Sequence, residues 1–119
     1  MFSVELSKHL REQIVNAMLD TLGLCQFAIA NDRVVLTNFV KDLINNCYDL
    51  ELTADDIVNL GRDTLRDEVA YNRNAEIDHI DSGPGFVRDE VLPPMGMVFG
   101  VDQAEMEKIW DNLDTVAVL

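Results

Sequence analysis

From Ser3 to Leu22 the apolar residues Leu6, Leu10, Ile14, Val15, Ala17, Met18 and Leu22 recur at intervals of three and four, with Lys8, Arg11, Glu12 and Gln13 filling the other side. That spacing places the apolar side chains on one stripe of a 3.6-residue helix. Gly23 marks the expected stop, since glycine readily takes the left-handed conformation just past a helix end. Gly23 to Ala30 is short, apolar and uncapped, and reads as a buried, irregular connector. Asn31-Asp32 is the turn signal before the next periodic run. A second helix is expected from Thr37 to Cys47, with Phe39, Val40, Leu43, Ile44 and Cys47 inward and Asn38, Asp42, Asn45 and Asn46 outward.

Tyr48 to Leu52 breaks the pattern. Thr53-Ala54-Asp55-Asp56 then resembles a capping box, in which the Thr53 hydroxyl satisfies a free backbone N–H and first-turn carboxylates complement the helix dipole. The third helix follows, with Ile57, Leu60, Leu65, Val69 and Tyr71 turned inward. Between about Asn74 and Gly100 the breakers Ser82-Gly83-Pro84-Gly85 and Pro93-Pro94 interrupt any periodicity. A loop of that length in a small domain is usually functional or wraps a partner surface. Asp102 with Glu105 signals a last cap, and Met106, Ile109, Trp110 and Leu113 form the apolar face of a final helix. The expected fold is all-α: residues 1–119 form a single helical domain of about four helices, with a long irregular segment before the last.

Composition narrows the function classes. The chain holds 22 acidic and 9 basic side chains in 119 residues, a formal net charge of −13, and 48% of it is hydrophobic. The apolar content is enough for a folded core in spite of the charge. A surface this acidic repels phosphate backbones and anionic headgroups, so neither nucleic acid nor membrane is an expected partner. No apolar stretch approaches the roughly 20 residues of a membrane span, and the N-terminus lacks a signal-peptide layout, so the expected location is the cytoplasm. Cys25 and Cys47 are too few for a disulfide scaffold, and neither holds a metal alone.

His9 and His79 lack the second ligand at helical spacing that a metal site needs. Asp78-His79-Ile80-Asp81-Ser82-Gly83 has the glycine of a calcium loop, but Ile80 stands at a ligand position. No phosphate-binding glycine loop or nucleophile elbow occurs. The stretch Asp20-Thr21-Leu22-Gly23-Leu24-Cys25 carries the remaining chemistry. Asp20 can accept two hydrogen bonds from an amidine-like edge, Gly23 lets backbone approach a flat ligand, and Cys25 offers a thiolate to a soft metal. The same residues also suit a plain helix end at Gly23 followed by a buried, apolar Cys25.

This hexapeptide resembles the D-x-x-G-L-C motif of the tungsten-dependent aldehyde ferredoxin oxidoreductase family. Further pieces follow in the family's order: Leu60-Gly61-Arg62, Tyr71-Asn72-Arg73, Asp89-Glu90-Val91-Leu92-Pro93-Pro94 and Val98-Phe99-Gly100-Val101-Asp102. The similarity runs from Asp20 to Leu113. It implies the helical C-terminal domain of a three-domain enzyme that oxidises aldehydes to carboxylic acids and passes the electrons to ferredoxin. In that pattern Cys25 is the last of four thiolates on a [4Fe-4S] cluster, Asp20 binds the pterin of a tungsten or molybdenum bis-pterin cofactor, and Gly23 and Leu24 line the pterin side. The long loop would cover the neighbouring domain.

The N-terminal pterin-binding domain, the middle domain and the other three cysteines would come from elsewhere, so the chain reads either as a C-terminal piece or as a naturally split product, inactive and without cofactor when alone. Its lost partners should leave exposed apolar surface, giving self-association or a groove near Leu22, Leu24 and Phe27. Cys47 matches no ligand position of the family and is expected in the core. The competing expectation is a non-catalytic acidic helical module that binds a protein partner.

Overall fold

The computed structural model describes residues 4–28, 32–77, 85–98, 100–106 and 108–119. The architecture is all-α, with no strand among the described residues. Three long helices, α1 (Val4–Thr21), α2 (Arg33–Tyr48) and α3 (Ala54–Asn74), are followed by the single turns α4 (Phe86–Asp89) and α5 (Gln103–Met106) and a 3₁₀ turn at Ile109–Asn112. Another 3₁₀ turn lies at Gln26–Ala28.

α1 follows its sequence pattern closely. Leu6, Leu10, Ile14, Val15, Ala17 and Met18 are buried, joined by Leu19, while Leu22 packs at the margin. The helix closes at Gly23, where φ is +68°. There the Leu24 amide donates to the Leu19 carbonyl at 2.9 Å and the Gly23 amide to the Asp20 carbonyl at 3.1 Å. These two bonds satisfy carbonyls that the end of a helix would otherwise leave open.

α2 begins four residues earlier than its apolar run suggests. Asp32 caps it, its Oδ1 accepting from the amides of Val34 and Val35 at 2.9 and 3.0 Å. The buried face is Leu36, Thr37 and Val40, with Ile44 partly covered. Phe39, Leu43 and Cys47, expected inward, are exposed. The apolar band of α2 is wider than the surface available to cover it, and the core takes its Leu36–Val40–Ile44 edge. Asn45, expected outward, ties down the link to α3: its carboxamide donates to the Leu52 carbonyl and accepts from the Leu52 amide, both at 2.9 Å.

The capping box of α3 forms as its sequence predicts. The Asp56 amide donates to Thr53 Oγ1 at 3.2 Å, and the Thr53 amide donates to Asp56 Oδ2 at 2.8 Å. Ile57, Val58, Gly61 and Leu65 are buried. Leu60 and Val69 are half-buried, whereas Tyr71, expected inward, is 71% exposed. The last turns of α3 run past the core, so their apolar residues find nothing to pack against.

α1 and α3 form the principal helix pair, and α2 rests on α3. Gly61 sits where the pair is closest. An ideal Cβ there would overlap the Ile14 carbonyl oxygen and lie 3.0 Å from the Met18 amide nitrogen. The hydroxyls of Thr21 and Thr64 also lie 2.8 Å apart between these helices, and Arg33 links α2 to Glu12 of α1 at 3.0 Å.

Within the expected loop, α4 adds one helical turn. Leu92 and Met97 then pair as an isolated bridge across a tight turn containing the cis Pro93–Pro94 peptide. The expected final helix is broken in two. Asp102 Oδ1 does accept from the Ala104 amide at 3.0 Å, but α5 ends at Met106, and Ile109 and Leu113 reach the core from the 3₁₀ turn and its end. Met106 and Trp110 are only partly buried. The terminal Val116 and Val118 join the core as well. Arg62 secures this tail, its guanidinium donating to the Leu113 carbonyl and, at 2.6 Å, to the Val116 carbonyl.

Candidate functional site

The Asp20–Cys25 stretch straddles the end of α1. Asp20 and Thr21 stand on the exposed side of its last turn, Gly23 is the left-handed residue, Leu24 turns back against the core, and Cys25 emerges into solvent. Both halves of the sequence reading thereby meet an observation. Gly23 is a helix-closing glycine, so its residue type follows from a φ of +68°, a conformation that L side chains rarely adopt. Cys25 is not the buried apolar residue that a plain helix end implied; its thiol is exposed. Cys47, expected in the core, is exposed too, since α2 has passed the packed region by its last turn.

This geometry can support the recognition of a flat ligand at one edge. Nothing lies within 4 Å of the place a Gly23 Cβ would occupy, so the backbone there is open to approach. Leu24 is anchored, which fixes the direction in which the chain presents Cys25. Phe27, two residues on, is 92% exposed, whereas Leu22 and Leu24 are partly buried against the core. On α2, Val35, Phe39 and Leu43 are exposed as well.

As a metal centre, the turn supplies one soft ligand. Among the described residues no group of three or more Cys, His, Asp or Glu is placed to hold a metal ion. A [4Fe-4S] cluster takes four thiolates, so Cys25 fits as a single contributed ligand and the remainder would come from another polypeptide segment. His79 and the calcium-like stretch Asp78–Gly83 lie outside the described residues, as do Asn31 and Phe99.

Two other residues of the family-like pattern have structural duties. Gly61 allows α1 and α3 to touch, and Arg62 holds the tail carbonyls. Arg66, one turn on, bridges Asp63 and Asp114. The Asp114 carboxylate first, and then that of Asp63, hold its guanidinium more firmly protonated than usual. This polar groove of about 490 Å³ along α3 therefore has its arginines already engaged within the chain. Tyr71, Asn72 and Arg73 lie on the last turns of α3, with Tyr71 and Arg73 outward.

No family model, curated protein or solved structure matches this chain. Among the described residues, no helix is long and apolar enough to cross a membrane.

Proposed function

We propose that this chain is a C-terminal helical domain or subunit of an aldehyde ferredoxin oxidoreductase-like enzyme, working in the cytoplasm and inactive by itself. The observation that carries the reading is the exposed Cys25 thiol, projecting just beyond the closed turn of the Asp20-x-x-Gly-Leu-Cys stretch. Cys47 is exposed as well, so it is the place of Cys25 directly after the closed Gly23 turn, and not exposure alone, that supports the reading.

In this reading Cys25 supplies one thiolate to a [4Fe-4S] cluster, completed by three cysteines of the partner polypeptide. Asp20, exposed on the last turn of α1, accepts hydrogen bonds from the N–H edge of a pterin, while Gly23 and Leu24 form the surface beside it. The tungsten or molybdenum bis-pterin cofactor would supply the aldehyde oxidation, with ferredoxin as electron acceptor. The chain's own contribution is positional: a rigid turn holds a pterin contact and a cluster ligand five residues apart. Exposed Phe27, Val35 and Phe39 suit burial against the pterin-binding and middle domains.

The test is anaerobic co-production of this chain with the polypeptide encoded beside or upstream of it, followed by iron and sulfide analysis. Cluster iron that is lost on Cys25→Ala supports the assignment. Equal iron in both samples, or none in either, removes it. The second reading, a non-catalytic acidic module docking a protein through the Val35–Phe39–Leu43 face, is favoured by the exposure of that face and gains by the latter result.

A further inference from the structure

A separate recess lies between α1 and the C-terminal segment, away from the Asp20–Cys25 turn in sequence. It has a volume of about 370 Å³, within the lower part of the range typical of small-ligand sites, roughly 300–1,000 Å³. Its apolar wall is built from Met106, Ile109 and Trp110, at the break between α5 and the following 3₁₀ turn. That break, which replaces the continuous helix expected from the sequence, leaves the Trp110 indole only partly covered.

The opposite edge is polar. His9, Gln13 and Asn16 follow one another at intervals of four and three and so lie along one ridge of α1, lining the same recess. Among the described residues, none of these three side chains takes part in a hydrogen bond or ion pair within the protein. Each carboxamide of Gln13 and Asn16 offers a donor and an acceptor side by side. That pair matches the amide- or amidine-type edge of a nitrogen heterocycle, as when Asn or Gln reads the N6/N7 edge of adenine. The indole offers a face on which such a ring can stack. Charge selects among such molecules. The chain carries −13, so a phosphorylated ligand is disfavoured.

We propose that this recess binds an uncharged aminopurine-type base or nucleoside, stacked on Trp110 and read at its edge by Gln13 and Asn16. Trp110 is the chain's single tryptophan, so its emission reports on the recess alone. The experiment is a fluorescence titration of the full 119-residue chain with adenosine, with adenosine monophosphate in parallel. The Gln13→Ala/Asn16→Ala double variant is titrated in the same way after circular dichroism has shown unchanged helix content. Saturable quenching by adenosine, weaker binding of the monophosphate, and about a tenfold or greater loss of affinity in the double variant are expected. Linear, non-saturating quenching, or equal affinity in the double variant, overturns the proposal. A Trp110→Leu variant, checked for unchanged helix content and followed by calorimetry, separates ring stacking from fluorescence artefact: adenosine affinity should fall, and unchanged affinity would rule out the stacking contact.

Discussion

Gly61→Ala is expected to destabilise the protein, although alanine is the better helix former. The intrinsic preference for Ala over Gly inside a helix is worth about 1 kcal/mol in favour of the variant. Against it stands the position of the new methyl group, which would overlap the Ile14 carbonyl oxygen and lie 3.0 Å from the Met18 amide nitrogen and 3.1 Å from the Ile14 carbonyl carbon. Each of these atoms is backbone, so no rotamer change relieves the contact and α1 must move away from α3. Carbon atoms pack best at about 3.5–4.0 Å, and a radial gap of about 0.5–1 Å already forfeits a quarter to a half of each contact energy. The affected contacts join Leu10, Ile14 and Met18 to Ile57, Val58 and Leu65, which form much of the core. Overpacking of this kind costs about 1–3 kcal/mol, and a rigid backbone neighbour places Gly61 at the upper end. The net loss is then about 2 kcal/mol. For a domain near 100 residues that lowers the melting temperature by about 8–16 °C. Urea denaturation of Gly61→Ala beside the exposed-site control Asn59→Ala reads the difference directly. A Gly61→Ala protein as stable as the wild type, or more so, would refute the close-contact account and leave helix propensity as the deciding term.

Three further substitutions test other parts of the fold. Glu76 holds a φ of +56° at the end of α3, its amide bonded to the Arg73 carbonyl and that of Ile77 to the Asn72 carbonyl; Glu76→Gly should raise stability by about 1 kcal/mol in thermal melts, and a loss would contradict the strain assigned there. Thr37 is fully buried in α2 and its hydroxyl has no partner among the described residues, so the near-isosteric Thr37→Val should gain about 1 kcal/mol by removing an unsatisfied group, whereas a clear loss would mean that the hydroxyl is satisfied. The backbone and then the hydroxyl of Thr53 hold the Asp56 carboxyl below its ordinary value by hydrogen bonding. A depressed folded-state pKa gives stability that is present above the unfolded value and lost as pH falls through the folded one. Wild type should therefore exceed Asp56→Asn near neutrality and converge with it in acid, and a gap that does not change with pH would contradict the cap.

The legible parts of the fold were those decided by local rules. α1 has a single apolar stripe and a glycine stop, and the Thr53–Asp56 box requires only four residues, so both follow from sequence alone. The errors share a cause, because each required knowing how much core was available. Phe39, Leu43 and Cys47 lie on an apolar band that continues around α2, and only the position of α3 selects the Leu36–Val40 edge. Tyr71 keeps the helical period of α3 but lies beyond the packed length. Val116 and Val118 belong to a short extended tail with no periodicity, pulled in by Arg62, a contact across more than fifty residues. At the candidate site the sequence located the turn, including the conformation of Gly23. It left the exposure of Cys25 open, since the same six residues suit a buried or an outward thiol.

The most direct test of the proposed role remains the state of Cys25. Purified anaerobically with its neighbouring polypeptide, the wild-type chain should carry iron, sulfide and the broad visible absorption of a cluster, and Cys25→Ala should lose them while retaining its helical circular dichroism. The control Cys47→Ala should leave the cluster intact. A cluster that survives Cys25→Ala unchanged, or its absence from the wild-type assembly, would contradict the ligand assignment and leave the acidic helical binding module as the better account.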